Sequence, residues 1–109
     1  MIGSPVRVLL FATAPSDDPD AVERAYHQIS RDLAGTPGLR GNELLRSVAD
    51  PSDFAVLSEW TDLDAFRSWE EGAAHKGTTA PLRPYQRPRA QPFGVFQVTA
   101  TYWDLRTHQ

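Results

Sequence analysis

Trp60, Trp69 and His75 are the side chains of this sequence whose types and spacing best suit chemistry on an organic ligand. Tryptophan rings offer a large, flat contact to an aromatic molecule, although they also serve core packing. Histidine can act as a general base because it changes its protonation state close to neutral pH. At the end of a helix it can instead cap the helix or anchor a substrate. These residues predict function in an aromatic-lined cavity rather than through a reactive motif.

Arginines supply the second kind of candidate chemistry. Arg46 and Arg7 fall on predicted strands, and an arginine that enters an apolar cavity can stabilise an enolate or a phenolate. An ion pair at the rim of the sheet is the alternative role for both. Arg83, Arg87 and Arg89 follow in a proline-rich stretch. We interpret them as solvated loop charges, with the alternative that one of them grips an acidic substrate.

The candidate catalytic residues are therefore Trp60, His75 and Arg46. A further set of side chains is predicted to contact substrate in a mostly apolar pocket of the kind that ligands prefer: Val56, Ser58, Trp69, Tyr85, Phe93, Gln97 and Trp103. Ser58 lacks an evident base partner that would make it a nucleophile. The chain has no cysteine and no pair of histidines with ligand-like spacing, so we expect no metal site.

Size and charge narrow the function classes. The 109 residues are enough for one domain, assigned to 1–109, and too few for two ordinary ones. A net charge of −3 disfavours nucleic acid as a partner, because nucleic-acid binding requires a basic surface. No segment approaches the roughly 20 apolar residues that span a bilayer. With no cysteine to form disulfides, the sequence predicts a soluble cytoplasmic protein.

The first half of the chain predicts a strand, a helix and a second strand. Val6–Thr13 is a short apolar run typical of a strand buried on both faces. Asp18 followed by Pro19 predicts the start of a helix, and apolar residues at helical spacing continue it until Gly35. Leu39–Ala49 is the second strand, with weaker alternation.

The second half predicts a strand, a helix, a long loop and a closing strand. Phe54–Trp60 alternates, with Phe54, Val56, Ser58 and Trp60 on one face. Thr61 and Asp64 form a capping-box pattern for a helix with Phe66 and Trp69 on its apolar stripe. His75–Pro92 is predicted to be a loop with one helical turn near Ala80–Tyr85, and Phe93–Leu105 a long strand.

The resulting order, β-α-β-β-α-β, predicts an α+β, ferredoxin-like fold with two helices on one face of an antiparallel sheet. The other face of the sheet is largely apolar and would need a cover. A second copy of the sheet would close it into a barrel, so we expect a homodimer.

In this order and spacing, the sequence resembles the antibiotic biosynthesis monooxygenase family of dimeric α+β barrels. The residues behind the resemblance are Pro37-Gly38-Leu39 before the second strand, Glu59-Trp60 at the end of the third, Ala65-Phe66 and Trp69 on the second helix, and His75 after it. The resemblance extends over nearly the whole chain.

The resemblance implies a cofactor-independent monooxygenase that oxidises an anthrone-like phenolic or polyketide intermediate to a quinone with dioxygen. No flavin, haem or metal takes part in such a reaction, because the substrate supplies the electrons. Trp60 matches the tryptophan that borders the pocket in that family. The anthrone oxygenases also carry an asparagine four residues before this tryptophan, where the present chain has Val56.

Two other functions remain open. Val56 in place of asparagine favours a cyclase or isomerase that folds a polyketide in the same cavity without oxygen. A non-catalytic dimer that binds a hydrophobic metabolite is the third possibility. Oxygen uptake separates the first function from the other two, and product formation without oxygen separates the cyclase from the binding protein.

Overall fold

The computed structural model describes residues 3–72, 74–86 and 93–103, and the side chains of residues 74–76 lie outside that description. The elements are β1 (Val6–Thr13), α1 (Ala21–Leu33), β2 (Leu39–Arg46), β3 (Asp53–Trp60), α2 (Leu63–Glu71), α3 (Ala74–Thr79), a 3₁₀ helix (Ala80–Tyr85) and β4 (Phe93–Gln97). The strands form one antiparallel sheet in the order β2-β3-β1-β4. This architecture confirms the predicted α+β, ferredoxin-like fold.

The pairing of β1 with β3 decides which side chains face the helices. Val6 lies opposite Trp60 and Val8 opposite Ser58. Because successive side chains in a strand alternate between faces, every second residue of both strands shares this side of the sheet. Val6 and Trp60 are each 1% exposed and pack with Phe66 of α2. We call this side of the sheet the helix face.

A β-bulge changes the face on which the residues of β2 lie. Leu39 pairs with Trp60, but Gly41 pairs with Glu59, so one extra residue is inserted between them. Strict alternation from Leu39 would place Asn42 on the opposite side of the sheet. After the bulge, Asn42 lies opposite Ser58 and therefore on the helix face.

Helix α1 packs its apolar stripe on the helix face, but it begins later than predicted. Its first residue is Ala21 and Asp20 is the N-cap, whose side chain makes no capping hydrogen bond. Asp18 instead accepts a hydrogen bond from Arg24 and raises the pKa of that guanidinium above its ordinary value.

Among the described residues, no helix is long and apolar enough to cross a membrane.

The N-cap of α2 also differs from the prediction by one residue. The Asp62 carboxylate accepts a hydrogen bond from the backbone N–H of Ala65 at 2.8 Å, so Asp62 rather than Thr61 is the cap. A carboxylate at this position satisfies a backbone donor that has no partner inside the helix. The cap fixes the start of α2. Phe66 and Trp69, on successive turns of this helix, pack against the sheet.

Residues 74–86, here called the cover segment, confirm the predicted helical turn at Ala80–Tyr85 and correct the prediction of a loop before it. The segment forms α3 followed directly by the 3₁₀ helix, while residues 87–92 lie outside the description. Pro81 and Pro84 lack backbone N–H donors, which disfavours continuation as an α-helix. Leu82 is fully buried in the core, and Gln86 forms a β-bridge with Ala12. Both contacts attach the cover segment to the sheet.

Strand β4 is much shorter than the predicted Phe93–Leu105. It ends at Gln97, which lies opposite Val6, the first residue of β1. The backbone N–H of Val98 still donates to the carbonyl of Pro5 at 2.8 Å. Beyond that point β1 offers no further backbone to pair with, and residues 98–103 form no strand. The predicted end at Leu105 lies outside the described residues.

The side of the sheet opposite the helices is apolar along its centre, and we call it the open face. Leu9 lies opposite Leu57, and Phe11 opposite Ala55. The main apolar residues of this face are Leu9, Phe11, Leu45, Ala55, Leu57 and Phe96. None of them is among the fully buried residues of the chain, and Phe96 is 55% exposed. The prediction that β1 is buried on both faces is therefore not met within one chain.

Gly38 and Gly35 provide a matched test of how β2 is placed against α2. Both have positive φ, but only at Gly38 would an added Cβ collide with Ala65 of α2. We predict that Gly35→Ala costs about 1–2 kcal/mol from backbone strain alone. Gly38→Ala should cost about 1–3 kcal/mol more, because it also overpacks the contact with α2. Urea unfolding of both variants measures the difference, and equal losses would contradict the close approach.

Candidate functional site

A cavity of about 240 Å³ lies between the helix face of the sheet and the helices. This is slightly smaller than the roughly 300–1,000 Å³ of common small-molecule sites. Its walls come from β1, β2, β3, β4, α1, α2 and the cover segment. The lining residues are Val8, Leu10, Ile29, Leu33, Asn42, Val56, Ser58, Trp60, Phe66, Trp69, Glu70, Thr79, Leu82, Arg83, Gln86 and Phe93.

Trp60 is held in the cavity wall by both ring packing and a hydrogen bond. Its ring packs edge-on against Phe66 at a centroid distance of 5.5 Å and lies 5.4 Å from the Trp69 ring. Its indole N–H donates to the Ser58 hydroxyl at 2.9 Å. An indole has a single donor and no acceptor, so this N–H is not available to a ligand. Trp60 therefore contributes a rigid wall and orients Ser58.

Asn42 is a lining residue that the sequence analysis did not single out. The Asn42 side-chain oxygen accepts hydrogen bonds from the hydroxyls of Tyr26 at 2.7 Å and Ser30 at 3.0 Å. Tyr26 and Ser30 are one helical turn apart on α1, so both hydroxyls can reach the same strand residue. The sequence does contain a sign that Asn42 is unusual. It is the one asparagine of the chain, and it lies in a predicted strand, where asparagine is depleted.

The structure brings one part of the predicted substrate-contacting set together. Val56, Ser58, Trp60, Trp69 and Phe93 all line the cavity. Val56, Ser58 and Trp60 alternate along β3 as predicted, whereas Trp69 comes from α2 and Phe93 from β4. Their roles in binding or catalysis remain predictions.

Other predicted site residues lie away from the cavity lining. Tyr85 packs against the core beside α1, Gln97 is an exposed residue at the end of β4, and Trp103 is 68% exposed beyond that strand. The backbone of His75 lies in α3, but its side chain is outside the description, so its proposed role as a base stays a prediction.

Arg46 is placed in an ion pair at the end of the sheet rather than in the cavity. Its guanidinium contacts the Glu23 carboxylate of α1 and lies 5.1 Å from the centre of the Phe54 ring. Arg7 pairs with Glu59 on the open face, with 3.6 Å between Nε and Oε1. Both arginines thus form ion pairs, which is the alternative to anion binding that the sequence left open for them.

The polar residues of the cavity fall into two groups. Asn42 and Ser58 lie side by side on the sheet. The other polar lining residues come from α2 and the cover segment: Glu70, Thr79, Arg83 and Gln86. Glu70 and Arg83 have opposite charges. Among the residues that the structure describes, no group of three or more histidine, cysteine or acidic side chains could hold a metal ion.

The sequence matches the model of the antibiotic biosynthesis monooxygenase family over residues 5–80. It is also 30% identical over 99 residues to Protein SchA of Streptomyces halstedii. A 42.8 kDa protein in the whiE locus of Streptomyces coelicolor is 30% identical over 80 residues. These alignments cover 90% and 73% of this chain but only 26% and 20% of the two relatives. The chain thus spans about a quarter or less of their length.

Solved structures agree with this fold. SnoaB, a cofactor-independent oxygenase from Streptomyces nogalater, superposes with a TM-score of 0.72 at 22% identity, covering 91% of this chain and 96% of that one. A mutant form of SnoaB gives a TM-score of 0.75 at the same identity, with 91% and 97% covered. The fold is α+β and ferredoxin-like, and the chain belongs to the antibiotic biosynthesis monooxygenase family.

Filling the cavity should weaken ligand binding without unfolding the protein. Val56 lines the cavity, whereas Val48 lies fully exposed in the turn between β2 and β3. We predict that Val56→Phe weakens binding of a hydroxyanthraquinone at least about tenfold, which corresponds to about 1.4 kcal/mol. Val48→Phe, the same substitution at an exposed site, should leave binding unchanged. Tryptophan fluorescence quenching measures both, and equal affinities for the two variants would place the ligand elsewhere.

Proposed function

We propose that this chain is a cofactor-independent monooxygenase that converts an anthrone-like phenolic intermediate of a polyketide pathway to a quinone. The observation behind the proposal is the cavity between sheet and helices, with the rings of Trp60, Phe66, Trp69 and Phe93 in its walls. Membership of the antibiotic biosynthesis monooxygenase family supports the reaction class.

The cavity suits a planar aromatic ligand. Trp60 and Trp69 are tilted by 35° to each other, and Phe66 closes the same cluster. Aromatic rings favour offset or edge-to-face contact with a second aromatic system, so such a wall would orient flat rings. An apolar enclosure also strengthens any hydrogen bond that it contains, because little water competes.

The proposed reaction requires no redox group from the protein. Loss of a proton gives an electron-rich enolate or phenolate, which transfers electrons to dioxygen. The methylene carbon then gains one oxygen atom and loses two hydrogens, while the second oxygen atom leaves as water. The protein would contribute positioning, exclusion of water and stabilisation of the anion.

A polyketide cyclase or isomerase is the second candidate. The observation in its favour is Val56, which lines the cavity where the anthrone oxygenases are expected to have an asparagine. Such an enzyme would use the same walls to fold its substrate and would transfer only protons. It would form product without oxygen, whereas a binding protein would form none.

Oxygen uptake tests the proposed reaction. We predict that purified protein with dithranol and no added metal or flavin consumes one molecule of dioxygen for each molecule of quinone formed. Val56→Phe should abolish the protein-dependent rate, and Val48→Phe should retain it. An oxygen electrode and the quinone absorbance give the two quantities. A trace equal to the protein-free control, with hydroxyanthraquinone still bound, would reject the oxygenase in favour of a cyclase or a binding protein.

We also propose that the functional form is a homodimer joined through the open face. Leu9 and Leu57 form an apolar centre on this side of the sheet, and Phe96 on the neighbouring strand β4 is 55% exposed. Burial of apolar area is the main driving force of stable association. A second copy would cover these residues with an equally apolar surface.

A lysine at the centre of the open face should separate the subunits. We predict that Leu57→Lys is monomeric in sedimentation velocity at concentrations where the wild-type protein is dimeric, because a charge would be buried without a partner. Val48→Lys adds the same charge at a fully exposed position and should stay dimeric. A monomeric wild-type protein would contradict the proposed dimer.

A further inference from the structure

Asn42 and Ser58 form a polar pair in the sheet wall of the cavity. Their Cα atoms are register partners on neighbouring strands, and both side chains lie on the helix face. The other sheet residues that line the cavity are apolar or aromatic: Val8, Leu10, Val56, Trp60 and Phe93. A ligand lying on this wall would therefore meet its polar groups at one place.

Hydrogen bonds engage one half of the Asn42 amide and leave the other half to a ligand. Two hydroxyls, from Tyr26 and Ser30, donate to its side-chain oxygen. A carbonyl oxygen has two lone pairs, so these bonds use its acceptor capacity. The amide nitrogen carries two N–H donors and has no hydrogen-bond acceptor among the described residues. Asn42 therefore has donors rather than an acceptor left for a ligand.

Ser58 is arranged in the same way by a different neighbour. The Trp60 indole N–H donates to the Ser58 oxygen. Because that bond uses the hydroxyl as an acceptor, its own O–H remains able to donate. Within the described part of the chain, no acceptor for this O–H is recorded. Asn42 and Ser58 thus bring unused donors from adjacent strands to the lining of a cavity whose other sheet residues are apolar or aromatic.

We infer that the Asn42 amide nitrogen and the Ser58 hydroxyl form a two-donor site that binds the oxyanion of an aromatic enolate or phenolate. The inference rests on the proposed function for the class of ligand. Fixed donors aimed at a developing negative charge stabilise it strongly where water is excluded. The ionisable side chains in the described lining are Glu70 on α2 and Arg83 on the cover segment, with Tyr26 behind Asn42. In an anthrone oxygenase, Asn42 would supply from β2 the amide that β3 lacks at Val56.

The acidity of a bound phenol tests this site directly. We expect para-nitrophenol, titrated by its phenolate absorbance, to have a lower pKa when bound to the wild-type protein than in free solution. Asn42→Asp keeps an acceptor for Tyr26 and Ser30, so it should fold, but it replaces the donors with a negative charge. It should raise the pKa of the bound phenol by at least about one unit, a tenfold change in acid dissociation. Ser58→Ala should raise it by about one unit.

Matched exposed substitutions control for general effects. Ser68→Ala repeats the serine change on the exposed surface of α2, and Gln28→Asp repeats the amide-to-acid change on the exposed surface of α1. Neither should alter the pKa of the bound phenol by more than a small fraction of the Asn42→Asp effect. A loss of fold would have no selective effect on phenol acidity, so this readout separates anion binding from a structural role.

Three results would overturn the inference. The wild-type protein could fail to bind para-nitrophenol, or it could bind the neutral phenol with a raised pKa, which would mean that an acceptor faces the cavity. Asn42→Asp and Ser58→Ala could also both leave the pKa of the bound phenol unchanged. A lowered pKa together with no oxygen uptake from dithranol would retain the anion site and reject only the oxygenase.

Discussion

The alternation of side chains along β3, held in register by β1 and β2, is the constraint on which the rest of the structure depends. It places Val56, Ser58 and Trp60 on the side of the sheet that the helices cover. A slip of one residue would turn all three outward and expose the most buried tryptophan of the chain. Burial of Trp60 against Phe66 and Val6 opposes such a slip. The same burial fixes the indole N–H on Ser58, so the packing of the core also orients a polar group of the cavity.

The overall fold could be predicted because its signals are local. Phe54–Trp60 alternates regularly, and the apolar stripe of α2 follows at once, so the strand, its buried face and the helix were predictable together. The end of β4 could not be predicted in this way, because it depends on where β1 begins at Val6, in a distant part of the chain. In the cover segment, the helical turn at Ala80–Tyr85 was predicted but α3 before it was not, and the attachment of the segment to the core depends on the burial of Leu82.

The candidate site was predictable only in part, for a related reason. Residues of β3 could be assigned to the cavity from periodicity alone, but Asn42 reaches the cavity through a bulge that leaves no clear trace in the sequence. Arg46 looked suitable for anion binding by its type, yet Glu23 on α1 occupies its guanidinium. Polar partners of this kind come from other elements, so they are defined by the tertiary structure. The hydroxyls of Tyr26 and Ser30 are also polar partners from another element, because they reach the Asn42 amide from α1.

The central claim is that one cavity, between the helix face and the helices, holds an aromatic ligand with its oxygen at Asn42 and Ser58. A crystal structure of the protein with a bound hydroxyanthraquinone would test it most directly. We expect the flat rings beside Trp60, Phe66 and Trp69, with an oxygen substituent of the rings within hydrogen-bond distance of the Asn42 amide nitrogen and the Ser58 hydroxyl. A ligand bound on the open face of the sheet, or in the cavity with its oxygens turned away from both residues, would contradict it.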